Sequence, residues 1–231
     1  MAKLFYKLTD EHGRSYGGMQ WGPGVTNRAR GKGKQECSPD FIHLYSDPLL
    51  AAFLNPIHAN FDSPRLWEAK ARIVASDHGL KLMTRMATTL REIPLPAVTI
   101  EQRIRFGLLC ALSFYHEPSW VKWAQDWLTC KNRQEEAARA AAWVAEAAAR
   151  TALAAADAPA LAARAAARAA RAARAATWTA EAAEAAALAA EATEAAARTA
   201  EAPIGERLIS LAEQAMGEDK EGGGALDNAH D

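Results

Sequence analysis

Residues 137–202 read AARAAAWVAEAAARTALAAADAPALAARAAARAARAARAATWTAEAAEAAALAAEATEAAARTAEA, and 40 of these 66 residues are alanine. The remainder is mostly Arg and Glu, with a few Trp, Leu and Thr. Alanine is the best helix former, so the stretch is expected to be helical. It buries little area per residue, and its flanks are stable mainly where another backbone comes close. The span carries no Ser, Cys, His or Lys. Much of the chain therefore reads as scaffold or interaction surface, and any chemistry is expected in the first hundred residues.

A ten-residue pattern runs through residues 161–200. Leu161, Arg171, Glu181 and Glu191 share one phase; Arg164, Arg174, Glu184 and Glu194 share another; Arg168, Trp178, Leu188 and Arg198 share a third. At 3.6 residues per turn the three phases fall on one helix face, leaving alanine on the others. A continuous helix from Ala158 to Ala202 would be about 67 Å long, against a radius of gyration of roughly 17 Å for a compact chain of this size. It must project as a rod, fold back as a hairpin, or pair with another chain. Reflection about Thr177/Trp178 sets Arg174 against Glu181, Arg171 against Glu184 and Arg164 against Glu191. That register suits a hairpin or an antiparallel homodimer, and a homo-oligomer is expected. Simple solvation of both charged faces is the alternative.

The 231 residues suffice for one or two domains with a core. Residues 1–98 carry 13 Lys/Arg against 9 Asp/Glu, and residues 99–231 carry 14 against 19, an imbalance too small to require nucleic acid. Cys37, Cys110 and Cys130 are far apart and without metal-ligand spacing, which reads as reduced thiols in a cytoplasmic protein. No signal peptide is evident at Met1, and charges interrupt the alanine run too often for a membrane span. No metal site and no cofactor motif is found.

The expected fold class is α+β, with a small, mainly antiparallel sheet module at residues 1–98 followed by an alanine-rich, all-helical scaffold at 99–216 and a disordered tail at 217–231. Strands are predicted at residues 3–9, 14–21, 41–45, 65–74 and 84–93, with a loop from Gly22 to about Pro39. A short helix is predicted from Leu49 to Leu54, capped by Asp47-Pro48 and stopping before Asn55-Pro56. Thr99 and Gln102 form a capping box, and Asn132 and Glu135 a second one. Trp120, Trp123 and Trp127 fall on one helical stripe, which reads as core.

Two groups and one tryptophan are candidate binding residues. Arg28, Arg30, Lys32 and Lys34 alternate with small residues, and backbone amides near Gly31 and Gly33 could cradle a phosphate or another anion; a solvated flexible loop is the other reading. Trp21 could offer a ring for stacking or belong to the core. His43, Tyr45 and Asp47 alternate along a strand, and with His58 and His78 they could form a polar pocket. His43 is the one member placed to serve as a general base, although a strand histidine is more often structural. Hydrolase and metalloprotease motifs do not occur, so a non-enzymatic role is expected.

Residues 37–93, at Cys37, Phe41-Ile42-His43, Asp47-Pro48-Leu49, Arg65-Leu66-Trp67-Glu68-Ala69 and Leu90-Arg91-Glu92-Ile93, resemble a small domain of unknown function in phage and bacterial proteins. Residues 106–150, at Cys110, Trp127-Leu128, Asn132-Arg133 and Ala140-Ala141-Ala142-Trp143, resemble an alanine-rich immunity-protein family. Together the resemblances imply a phage or mobile-element origin and a non-enzymatic role in conflict. They point to a sequestering protein that captures an anionic, nucleotide-like ligand or blocks a host defence protein. Structural assembly through the alanine helices is the alternative. Ile42 to Leu54, strand then helix, is also similar to ADP-ribosyltransferase-like folds, without a matching catalytic glutamate motif.

Overall fold

The structure, a computed structural model, describes residues 3–35, 38–152, 158–175 and 205–217 and the single positions Ala192, Ala195 and Arg198. It is a mixed α/β fold in which an antiparallel sheet precedes most of the helices. The strands are β1 (Phe5–Thr9), β2 (Thr26–Arg28), β3 (Ile42–Leu44), β4 (Arg65–Asp77) and β5 (Lys81–Ile93). The helices are α1 (Pro48–His58), α2 (Ile100–Leu112), α3 (Pro118–Leu128), α4 (Glu135–Ala152), α5 (Ala158–Ala175) and α6 (Gly205–Gly217).

The β4–β5 hairpin organises the sheet. Its turn passes through His78 (φ 47°) and Gly79 (φ 85°), and the Leu80 N–H donates to the Asp77 carbonyl at 2.7 Å. Two successive positive φ values match the right-handed twist of paired strands. β1 pairs with β4, while β3 and β2 pair with different stretches of β5. Tyr6 of β1 also exchanges backbone bonds with Tyr45, just past β3, at 3.0 and 2.8 Å. The sheet thus curls back on itself, helped by register shifts along β4 near Trp67, Ala71 and Ile73. Phe5, Trp21, Ile42, Leu44, Ala69 and Ala87 fill its inside.

Several local expectations change. Residues 14–21 form no strand; a single Arg14–Gln20 bridge closes a loop instead. The expected loop 22–39 contains β2, because three residues find the open edge of β5. Both hairpin strands reach further than predicted, to Asp77 and from Lys81.

α1 runs on through Pro56 to His58. Proline lacks the N–H that would bond the Ala52 carbonyl and crowds that oxygen. Here Arg103 of α2 supplies the donor, its Nη1 bonding Ala52 O at 2.7 Å and Phe53 O at 3.1 Å. A long-range cation therefore keeps helical a segment that the local sequence would end.

The Thr99 box forms as expected: Gln102 N–H donates to Thr99 Oγ1 at 3.1 Å and Thr99 N–H to Gln102 Oε1 at 2.8 Å. The second box does not. Asn132 Oδ1 accepts from Gln134 N–H at 3.2 Å, and the Glu135 carboxylate faces Arg174 Nε at 3.3 Å. Trp120, Trp123 and Trp127 are buried together, with ring centroids of the first two 5.8 Å apart.

α5 packs along α4 and against α2. Every alanine from Ala162 to Ala173 is at most 6% exposed, while the Arg171 and Arg174 stripe faces outward. Alanine's small side chain lets neighbouring axes approach toward the short end of roughly 8–10 Å, so the backbone partner that an alanine flank needs is found within the chain. Arg171 Nε donates to Glu146 Oε1 at 2.6 Å. Arg171 and Arg174 thus each meet a carboxylate of α4, while Glu184 and Glu181, their partners by reflection, lie outside the described residues. The expected Arg164–Glu191 pair, Trp178, Cys37 and the tail beyond Gly217 lie outside the described residues. Leu8, Tyr45, Leu66 and Leu80 of the sheet module share one core with α1 to α6.

Candidate functional site

Side chains alternate between the faces of a strand. Along β4 the inward positions are Ala69, Ala71 and Ile73, so Lys70, Arg72 and Val74 point out, and all three are exposed. Lys70 stands opposite Thr88 of β5, which stands opposite Thr26 of β2. The Thr26 and Thr88 hydroxyls are 2.8 Å apart. Arg28 lies opposite Met86, which is 42% exposed. The result is an open three-strand surface, on the part of the sheet that the helices leave uncovered. Arg30, Lys32 and Lys34 continue it from the end of β2, and all are exposed. Arg28, Arg30, Lys32, Lys34, Lys70 and Arg72 have no carboxylate partner among the described residues.

The Gly31–Gly33 backbone does cradle an anion, and it belongs to the protein. Gly33 N–H donates to Asp40 Oδ1 at 3.0 Å and Gln35 N–H to Oδ2 at 3.2 Å. A Cβ on Gly31 or Gly33 would collide with that carboxylate. Arg85 Nη2 donates to the Gly33 carbonyl at 2.6 Å, and its guanidinium lies over the Phe41 ring at 4.1 Å. The Gly33 N–H, followed by the Gln35 N–H and the Ser38 side chain, holds the Asp40 carboxyl below its usual range. Asp40 thereby shapes the loop and turns its cationic side chains outward. Replacing Asp40 by Ala should speed amide exchange at Gly33 and Gln35 by about tenfold or more, because local opening loses its closing contact. Unchanged exchange at both amides would show that the carboxylate does not hold the loop.

The other candidate residues sit elsewhere. Trp21 is 3% exposed and packs inside the curled sheet, so neither ring face is open for stacking. Beside it, 5.8 Å from the ring centroid, lies the ammonium of Lys7, which donates to the His43 carbonyl at 3.3 Å. Burial lowers the Lys7 pKa to about 8.

His43 and Tyr45 point the other way, into the interface between sheet and helices. Tyr45 is 5% exposed, and its hydroxyl lies 3.1 Å from His58 Nδ1 at the end of α1. Burial lowers the pKa of His43 to about 4 and of His58 to about 3, with Lys81 adding to both shifts. Both imidazoles are therefore neutral at pH 7. Asp77, 3% exposed, forms ion pairs with Lys81 at 3.8 Å and Arg198 at 3.9 Å. Asp47 joins none of this; its Oδ1 accepts the Leu49 N–H at 2.8 Å and caps α1. His78 occupies the hairpin turn. Of the polar pocket expected from sequence, His43, Tyr45 and His58 come together, joined by Asp77 and Lys81 and apart from the exposed cations. Among the described residues no group of three or more His, Cys, Asp and Glu side chains is placed to hold a metal.

The sequence reading passed over Lys70, Arg72 and Tyr16. Lys70-Ala71-Arg72-Ile73-Val74 alternates polar and apolar with period two up to Ile73, which would have placed both cations on one strand face. No family model, curated protein or solved structure matches the chain.

Proposed function

We propose that the chain is a non-catalytic binding protein that captures an anionic, nucleotide-like ligand on the uncovered face of its sheet. The observation that supports this reading most is the set of six exposed cations without carboxylate partners among the described residues, gathered from β2, the loop after it and β4. Neighbouring like charges raise the local potential and favour an anion more than any one of them does. The alanine-rich section is read as helical scaffold throughout, holding the sheet from behind. Such capture would serve the antagonist role that the family resemblance implies.

Titration calorimetry with linear and cyclic nucleotides tests the reading. Replacing Arg28, Arg30, Lys32 and Lys34 by Ser should weaken binding about tenfold or more, since each charge-assisted bond contributes roughly 1.5–3 kcal/mol. The fold should be unaffected, because exposed side chains add little to the core. Binding should also weaken as salt rises, with exposed charges screened over about 8 Å at physiological ionic strength. A nucleotide bound equally well by both proteins would move the site elsewhere.

A further inference from the structure

We propose that the ligand of this face is a single strand of nucleic acid, bound through several phosphates and at least one stacked base. The inference rests on the anion-binding reading above and names the chemical class that the surface fits.

Three observations carry it. First, the cations are spread over a surface and do not converge. Lys70 and Arg72 follow one strand at alternate positions, Arg28 lies two strands away, and Arg30, Lys32 and Lys34 extend the row past the end of β2. A mononucleotide offers its charge at one end, whereas an extended polyanion meets cations along a path.

Second, the most exposed large apolar side chain among the described residues is aromatic and lies beside that path. Tyr16 is 84% exposed. Its loop is tied to the basic segment at two points: Arg30 Nη1 donates to the Gly17 carbonyl at 3.2 Å, and Asn27 Nδ2 to the Gln20 carbonyl at 2.7 Å. An exposed ring held next to phosphate-binding cations is the pairing by which proteins hold single strands, one element for the charge and one for the base.

Third, the face is a curved sheet surface about 10 Å across, from three strands spaced about 4.8 Å apart. Among the described residues it presents no projecting helix or ribbon to enter a duplex groove. The exposed Thr26, Val74 and Met86 add hydroxyl and apolar contacts suited to sugars and bases.

Fluorescence anisotropy of the full chain with a labelled 12-nucleotide mixed-sequence single strand tests this, with the matching duplex, a nucleoside triphosphate and a poly-glutamate peptide as competitors. The single strand is expected to bind at least about tenfold more tightly than any competitor. The dependence of log affinity on log salt should become shallower by about 0.7 for each phosphate-binding cation replaced by Ser. Tyr16→Ala should weaken single-strand binding about fivefold or more, as loss of one stacked base does, with triphosphate binding and melting temperature unchanged. Equal or tighter binding of the duplex or the peptide would overturn the inference in favour of that partner. Triphosphate binding without a gain for the oligonucleotide would overturn it and leave the proposed function standing. Failure of every anion to bind would overturn both.

Discussion

Acidification from pH 7 to 4.5 is expected to remove about 3–5 kcal/mol of stability, most of it through His43 and His58. Each imidazole has a folded-state pKa well below the ordinary value of 6.5, about 4 for His43 and about 3 for His58. Above pH 6.5 both are neutral whether the chain is folded or not, and neither affects the balance. Below it the unfolded chain takes up two protons that the folded chain refuses. Stability therefore falls as pH drops, by up to about 1.4 kcal/mol per pH unit for each fully buried imidazole. His43 is only half-buried, so solvent reduces its share. The groups around the pair oppose protonation further. Lys81 acts on both imidazoles, Lys7 on His43 and Arg198 on His58, with Asp77 a partial counterweight at His43. Because a domain is typically stable by only about 5–15 kcal/mol, this loss is a large fraction of the total. Urea melts at pH 7, 6, 5 and 4.5 should show the decline, and the double variant His43→Gln/His58→Gln should flatten it above pH 5. A wild-type midpoint that stays constant from pH 7 to 5 would rule the mechanism out.

Arg103→Ala should destabilise the protein by about 3 kcal/mol, chiefly the cost of leaving the buried Ala52 carbonyl without a donor. The Ala52 carbonyl has no intrahelical partner because Pro56 cannot provide one, and both Ala52 and Phe53 are at most 1% exposed. Burial lowers the Arg103 pKa, yet its two bonds keep the guanidinium anchored between α1 and α2. The melting temperature should fall by roughly 10 °C, at about 2–4 °C per kcal/mol for a chain of this size. Pro56→Ala restores the missing N–H, so Arg103→Ala should cost clearly less in that background. A double-mutant cycle measures the difference directly. Additive effects would mean that Arg103 does not substitute for the lost helix bond.

Much of the helical half was legible because its signals are local. The Thr99–Gln102 box, Pro118 at the start of α3 and the tryptophan stripe each act within a few residues, and each appears where its spacing placed it. The Asn132–Glu135 box failed for the opposite reason. Its Glu135 carboxylate found Arg174, distant in sequence, and no local rule weighs such a competitor. The candidate site was legible only in part. The run from Arg28 to Lys34 announced itself by charge, but Lys70 and Arg72 join it only through strand pairing across β5. Trp21, equally prominent in sequence, was drawn inside by the curl of the sheet.

The sequence by itself determined the order of the chain, strands before the alanine-rich helices, because hydrophobic period and helix propensity are properties of neighbouring residues. It also determined that α5 would carry its arginines on one stripe. Tertiary structure alone decided the partners. α4 took up Arg171 and Arg174, Asp40 filled the glycine cradle, and Arg103 carried α1 past Pro56. In each case a polar group left open by the local chain was met by one remote in sequence. Burial makes an unmet polar group costly, and only the folded arrangement determines which remote group comes within reach.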